Sequence, residues 1–331
     1  MRSTSRIPVP PRGTWGSTVG RKQRADAAER SRRSPCRSVL ASNRNFAPGH
    51  RIRTIGAGRA GRPETAGRPV GRFEDLALVS KGPPDPGGSA AFILAHNDDE
   101  IFINARIRRL VASRREVGAL WLTSGLLAPS PEVRRQESRA AMARLGVPER
   151  ALTFWDYPDL RTLGYLEELV SGIAGYLESR VVAEVYVPAY EGGHPDHDVA
   201  NFAVSQAAAR IRLSAPIYEF PINTGPRGRR QLIGGFATNS LAAMRTPPRP
   251  DDRRVWDDLW RCHRTQYRYL RLPMALCLDR RRWWLGEPYR PLPHHDYLNP
   301  PHRGRLGYET ALGIPFARFH SAVREFLEAN G

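Results

Sequence analysis

From residue 90 onward the chain alternates short apolar runs with stretches of helical period, and this alternation restricts its fold more than any other feature. Ala90–Ala95 is a continuous apolar run, suited to a strand buried on both faces. Glu100–Arg115 reads as a helix and Val117–Thr123 as a second strand. Ser130-Pro131-Glu132 is a helix start, with Ser as N-cap and Pro in the first turn. That helix runs to Leu145, where Gly146 stops it. Leu152–Trp155, Glu184–Pro188 and Ile217–Phe220 read as further strands, with helices over Tyr165–Ser179 and Asp198–Arg210 between them. Repeated βα units predict an α/β fold: a Rossmann-like, mostly parallel sheet with helices on both faces.

The flanks are less regular. Residues 1–87 mix Arg, Ser, Gly and Pro without apolar period and read as a disordered basic arm and linker; residues 88–331 hold the folded domain. Within that domain, 225–331 is the weaker part. Gly225–Arg230 reads as a basic loop and Asp251–Arg271 as one helix, with Val255, Leu259, His263 and Tyr267 at four-residue spacing. Residues 286–316 read as an ordered surface loop. Its His and Tyr residues, among them Tyr289, His295 and Tyr297, fit either a packed loop or a lid.

Charge raises a different class of function. The net charge is +18, and residues 1–75 carry 17 basic and 5 acidic residues of it. Such an arm suits nucleic acid or an acidic partner. But all basic residues except Lys22 and Lys81 are arginine, in the folded part as in the arm, which fits a chain-wide bias better than a tuned patch. Nucleic acid is therefore not the expected partner. Three cysteines, Cys36, Cys262 and Cys277, without a CxxC pair give neither a disulfide framework nor a Cys-based zinc site, and fit a cytoplasmic setting. No apolar stretch is long enough to span a bilayer.

Two polar clusters follow predicted strands. His96-Asn97-Asp98-Asp99 follows the first, and His194-Pro195-Asp196-His197 follows the fourth. Ligands of open α/β sheets bind outside the carboxyl ends of strands, so the clusters can meet in one crevice. His96 and Asp99, three apart across a turn, can reach one ion, and His197 would complete a set of two His and one carboxylate with open positions. Zinc suits that set, and Fe(II) is also compatible. Asp98 is then free to act as a base toward water. Either cluster alone reads as ordinary structure, an acidic first turn of a helix or a polar turn before one.

Ala95-His96-Asn97-Asp98-Asp99-Glu100 and His194-Pro195-Asp196-His197 resemble the paired motifs of the PIG-L/LmbE-type zinc-dependent de-N-acetylases, where the first reads Ala-His-Pro-Asp-Asp-Glu. Arg134-Arg135-Gln136-Glu137 looks like the family's Arg-x-x-Glu helix, and Leu145-Gly146-Val147 and Tyr157-Pro158-Asp159 also fit. The resemblance covers about residues 90–220 and continues weakly through Arg264-Thr265-Gln266. It implies zinc on His96, Asp99 and His197, with Asp98 as general base. It further implies that His194 protonates the leaving amine or stabilises the oxyanion, that Asp196 orients His194, and that Arg134 contacts substrate. The implied substrate is a small N-acylated amino sugar or glycoconjugate. Asn97, where the family has Pro, is a departure in the turn itself. The competing expectation is a binding protein that uses the basic arm on nucleic acid or an acidic partner, with a degenerate fold of the same kind.

Overall fold

A computed structural model describes residues 88–125, 130–227, 230–236 and 243–331. The expected arm, residues 1–87 with Cys36, lies outside the described residues. Seven strands form one sheet: β1 (Ser89–Leu94), β2 (Val117–Thr123), β3 (Leu152–Tyr157), β4 (Val182–Pro188), β5 (Ile217–Phe220), β8 (Met244–Thr246) and β9 (Glu287–Pro291), in the order β3-β2-β1-β4-β5-β9-β8. β1 to β5 pair in parallel, and β9 and β8 add an antiparallel edge. A separate hairpin, β6 (Asn223–Arg227) with β7 (Arg230–Ile233), completes the strands. This is the α/β architecture expected from the βα alternation.

The helices are α1 (Asn104–Ala112), α2 (Pro131–Leu145), α3 (Leu166–Glu178), α4 (Pro195–Arg210), α5 (Asp252–Cys262), α6 (Arg264–Cys277), α7 (Arg282–Leu285), α8 (Gly307–Ala311) and α9 (Phe316–Asn330). β1 shows why both faces are covered. Phe92 and Leu94 pack into a core with α1, α2 and α5, while Ala91 and Ile93 pack into a second core with α3, α4 and α9. A strand buried on both faces has no polar side to alternate with, which is why its sequence is one apolar run. Strand order reverses between β1 and β4: the chain runs outward through β2 and β3, then returns to β4 on the other side of β1. That reversal opens the crevice where such sheets bind ligands.

Local signals set several boundaries. Ser130 caps α2 by accepting the Val133 N–H at 3.4 Å, and Gly146 ends it at φ 86°. Other boundaries differ from the sequence expectation. The first helix is preceded by a 3-10 turn, Asp99–Phe102. The fourth starts at Pro195, three residues early, so Asp196 and His197 sit in its first turn rather than in a loop. The single helix expected over Asp251–Arg271 is broken at His263, whose backbone leaves the helical region (φ −84°, ψ 64°). Its fully buried imidazole lies 2.7 Å from Glu100, a contact that explains the break. The expected surface loop 286–316 contributes β9 and α8. Tyr289 and Tyr297 are buried, and the Tyr297 hydroxyl donates to Asn201 at 2.7 Å, so both tyrosines are packing residues.

Candidate metal centre

The turn after β1 is shaped by one carboxylate. Asp99 Oδ2 accepts the backbone N–H groups of Ala95 at 2.8 Å and His96 at 2.9 Å, folding the chain back on itself. Its other oxygen, Oδ1, then faces His197 Nε2 at 3.2 Å and His96 Nδ1 at 3.7 Å. The two imidazole nitrogens are 3.0 Å apart. His197 reaches this point because α4 begins at Pro195, which places its side chain one turn into the helix over the end of β4. The preceding loop must lie flat: a Cβ on Gly193 would stand 1.6 Å from the Asn223 carbonyl oxygen.

Three donor atoms of buried residues thus form a triangle with edges of 3.0, 3.2 and 3.7 Å. Ligands of a tetrahedral zinc, bound at about 2.0–2.2 Å, stand roughly 3.3–3.6 Å apart, so the donor set fits such an ion in type and spacing. The far nitrogen of His96 supports the same assignment. Nε2 lies 2.9 Å from Asp159 Oδ1 and 3.3 Å from Asp196 Oδ2. A proton on Nε2 satisfies these carboxylates and leaves the Nδ1 lone pair facing the triangle, the arrangement that orients metal-bound histidines. A second grouping, His96, His194 and Asp196, is also close enough to hold an ion. Its donors are already engaged. Asp196 accepts the Leu160 N–H at 2.7 Å and the Thr162 hydroxyl, and His194 Nδ1 accepts the Asp196 N–H at 3.3 Å.

Electrostatics follow from this packing. Burial alone would raise the Asp99 pKa, but the charge and hydrogen bond of His197, then of His96, hold it well below the usual carboxylate range. For His96 burial works downward, and Asp159 above all, with Asp196 and Asp99, more than reverses it. Asp196 is held low by its contacts with His96 and His194, against burial. His194 moves the other way: burial, then the neighbouring His96, push its pKa well below the ordinary imidazole value. Asp98 is raised by burial, partly offset by the Arg134 guanidinium.

Of the other expected site residues, Asp98 has φ 150°, a conformation an L-residue adopts only under strain. Its carboxylate lies 3.5 Å from Arg134 Nη2. His194 stands over the triangle, its ring centroid 4.4 Å from that of His96, and is the more exposed of the two. The Asp196 carboxylate lies closer to His96 than to His194 Nδ1, 3.9 Å away, so its main contact is with the candidate ligand. Arg134 is 2 % exposed and turned toward protein groups: the Asn97 carbonyl, Glu137 and Thr265 Oγ1, the last two at 3.3 Å. Asn97 is fully buried, and its Nδ2 donates to Ser138 Oγ at 3.0 Å, a tie to α2 that a proline could not make.

Two partners went unassigned in the sequence. Asp159 reads in the sequence only as part of a turn, although it follows a strand end as His96 does. Glu100 binds His263 at 2.7 Å and accepts from the Trp121 indole at 3.3 Å beneath the turn; nothing local marks so distant a pairing.

Residues 91–208 match the family profile PIG-L, described as GlcNAc-PI de-N-acetylase. This stretch is similar to the PIG-L family over 118 of the chain's 331 residues. Every candidate ligand lies within the matched stretch, while His263 and Thr265, which brace the turn after β1 from behind, lie outside. No curated protein matches the chain in sequence. Among solved structures it is similar to the zinc-inhibited form of teicoplanin deacetylase, at 16% identity and TM-score 0.48, over 61% of this chain and 97% of that one. It is also similar to a conserved protein from Thermus thermophilus, at 20% identity and TM-score 0.49, over 66% and 99%. A third is N,N'-diacetylchitobiose deacetylase from Pyrococcus horikoshii, at 17% identity and TM-score 0.43, over 68% and 94%.

Proposed function

We propose that the protein is a zinc-dependent amidohydrolase that removes an acyl group, acetyl first of all, from an N-acylated amino sugar or glycoconjugate. The observation that carries this reading is the convergence of His96 Nδ1, His197 Nε2 and Asp99 Oδ1 at the strand-order reversal. The description of the matched profile, a de-N-acetylase, supports the reaction class. Zinc held by these three side chains supplies Lewis acidity toward an amide carbonyl and toward water.

The remaining steps belong to protein groups. Asp98 accepts a proton from the attacking water, and burial, which raises its pKa, makes it a better base than an exposed aspartate. Arg134 is assigned to Asp98 rather than to substrate, because its guanidinium is buried against Asn97, Glu137 and the Asp98 carboxylate. His194 has Nδ1 occupied by the Asp196 N–H, so a neutral ring carries its proton on Nε2. That N–H is suited to stabilising the developing oxyanion, and the proton Asp98 takes from water is the one that passes on to the departing amine.

The test is metal analysis of the full chain, followed by an amine-release screen over N-acetylated sugars. About one zinc per chain with deacetylation of at least one sugar is expected. A protein that takes up no zinc and releases no amine from any of them overturns the reading.

A further inference from the structure

Helices α6 and α7 present a surface that the site does not use. Among the described residues, Leu272, Leu276, Trp284 and Leu285 are 63, 69, 62 and 49% exposed, half of all the exposed large apolar side chains. Leu272 and Leu276 are one helical turn apart and share a face of α6. Leu276 and Trp284 meet at a cleft of about 450 Å3 that is also lined by Trp256, Trp283, Arg253, Arg271, Arg280 and one acidic residue, Asp257.

The charge here is only partly compensated. Arg271 is paired with Asp257 at 3.0 Å, but neither Arg253 nor Arg280 has a carboxylate partner among the described residues. A cleft flanked by two cations without carboxylate partners among the described residues suits an anionic partner. The leucines say what kind. A small soluble anion in the cleft would leave Leu272 and Leu285 in water, whereas a lipid interface takes aliphatic chains, tryptophan and arginine together.

We propose that the α6–α7 face docks the protein peripherally on an anionic bilayer, with Leu272, Leu276, Trp284 and Leu285 in the interface and Arg253 and Arg280 at lipid phosphates. No helix among the described residues is long and apolar enough to cross a membrane, so the attachment is one of surface docking. α6 runs from Thr265, which holds Glu137 behind the Asp98 turn, to this face. At about 1.5 Å rise per residue, Leu276 stands roughly 16 Å further along the helix than Thr265. The inference does not depend on the proposed reaction.

The experiment is co-sedimentation of the full chain with vesicles of phosphatidylcholine alone or with about a third phosphatidylglycerol. The expected result is binding to the anionic vesicles only. Two double variants, Leu276→Ser with Trp284→Ser and Arg253→Gln with Arg280→Gln, are each expected to weaken it by about tenfold. Exposed positions make these substitutions tolerable for folding, checked by unchanged melting. Full binding by both variants overturns the proposal, since the basic residues 1–75 would then supply all the attraction. So does failure of the unaltered chain to bind. A third overturning result is inorganic phosphate shifting tryptophan fluorescence where anionic vesicles shift none, which would mark a small-anion pocket. None of these readouts involves turnover, so failure here and failure of the hydrolase reading are separable.

Discussion

The two strand ends that build the site solve the same geometric problem differently. After β4, the loop reaches α4 through Gly192 at φ 70°, a conformation glycine adopts without penalty, and the helix start then aims His194 and His197. After β1, the corresponding unusual backbone is at Asp98, φ 150°, where a side chain makes it strained. The strain persists because the turn is tied on all sides, through Asp99 to two backbone N–H groups, Asn97 to Ser138, and Arg134 to the Asn97 carbonyl. Strain held beside a cluster of donor atoms fits the role of base proposed for Asp98. In the proposed site the first strand end carries two ligands, His96 and Asp99, and the base Asp98, while the second carries the ligand His197 and the neighbouring His194.

The largest effect should come from removing a donor on either side. Asp99→Ala and His197→Ala are both expected to lose bound zinc and all measurable turnover, as read by metal content and amine release. The two should differ in stability: Asp99→Ala also frees the Ala95 and His96 N–H groups and should cost about 1–3 kcal/mol more in denaturant unfolding of the metal-free proteins. Equal stabilities would mean that the turn does not depend on the Asp99 carboxylate.

Asp98→Gly separates chemistry from backbone. Turnover should fall by about 10²–10⁴-fold, the usual contribution of a general base, while zinc stays bound. Relief of the strained φ should raise stability by about 1–3 kcal/mol in thermal or denaturant unfolding. The mirror experiment is Gly192→Ala, whose Cβ would meet Leu306 at 2.5 Å and whose backbone is already at positive φ. It should destabilise. Destabilisation by Asp98→Gly would refute the contrast between the two loops.

Arg134→Lys tests the support of the first turn. Lysine keeps the charge but cannot serve Asn97, Glu137 and Thr265 at once, so kcat should fall on the order of tenfold with KM little changed. A change confined to KM would return Arg134 to the substrate-contacting role that the family resemblance implies.

How much of this was readable in the sequence differs along the same line. The sheet and both His/Asp clusters were legible because local patterns carry them: apolar runs such as Ala90–Ala95, the Ser130-Pro131 start and Gly146 stop of α2, and donor residues at strand ends. The early start of α4 is hidden in the sequence because the polar residues from Pro195 to His197 read as loop. Beyond residue 225 the reading failed where structure rests on contacts between distant residues. His263 sits at a four-residue spacing that continues a helix, and only its burial against Glu100, 163 positions away, breaks it. β9, with Pro288 and Pro291, has no strand signature; it is held by pairing with β5 and β8 and by the buried Glu219–Arg290 ion pair at 2.6 Å.

The smallest expected effect concerns Asn97. Its Nδ2 hydrogen bond to Ser138 is offset by an Oδ1 that is buried without a partner. Asn97→Pro removes both, and a ring that fixes φ lowers the entropy of the unfolded chain. These terms nearly cancel, so stability should change by less than about 1 kcal/mol, with activity within a few-fold. Ser138→Ala provides the sharper half of the pair: it leaves the Asn97 amide with no acceptor and should destabilise by about 1–3 kcal/mol. In the Asn97→Pro background that cost should disappear. If Ser138→Ala is equally costly in both backgrounds, the turn is not tied to α2 through Asn97, and the rigidity attributed to the first strand end must come from Arg134 and Asp99 alone.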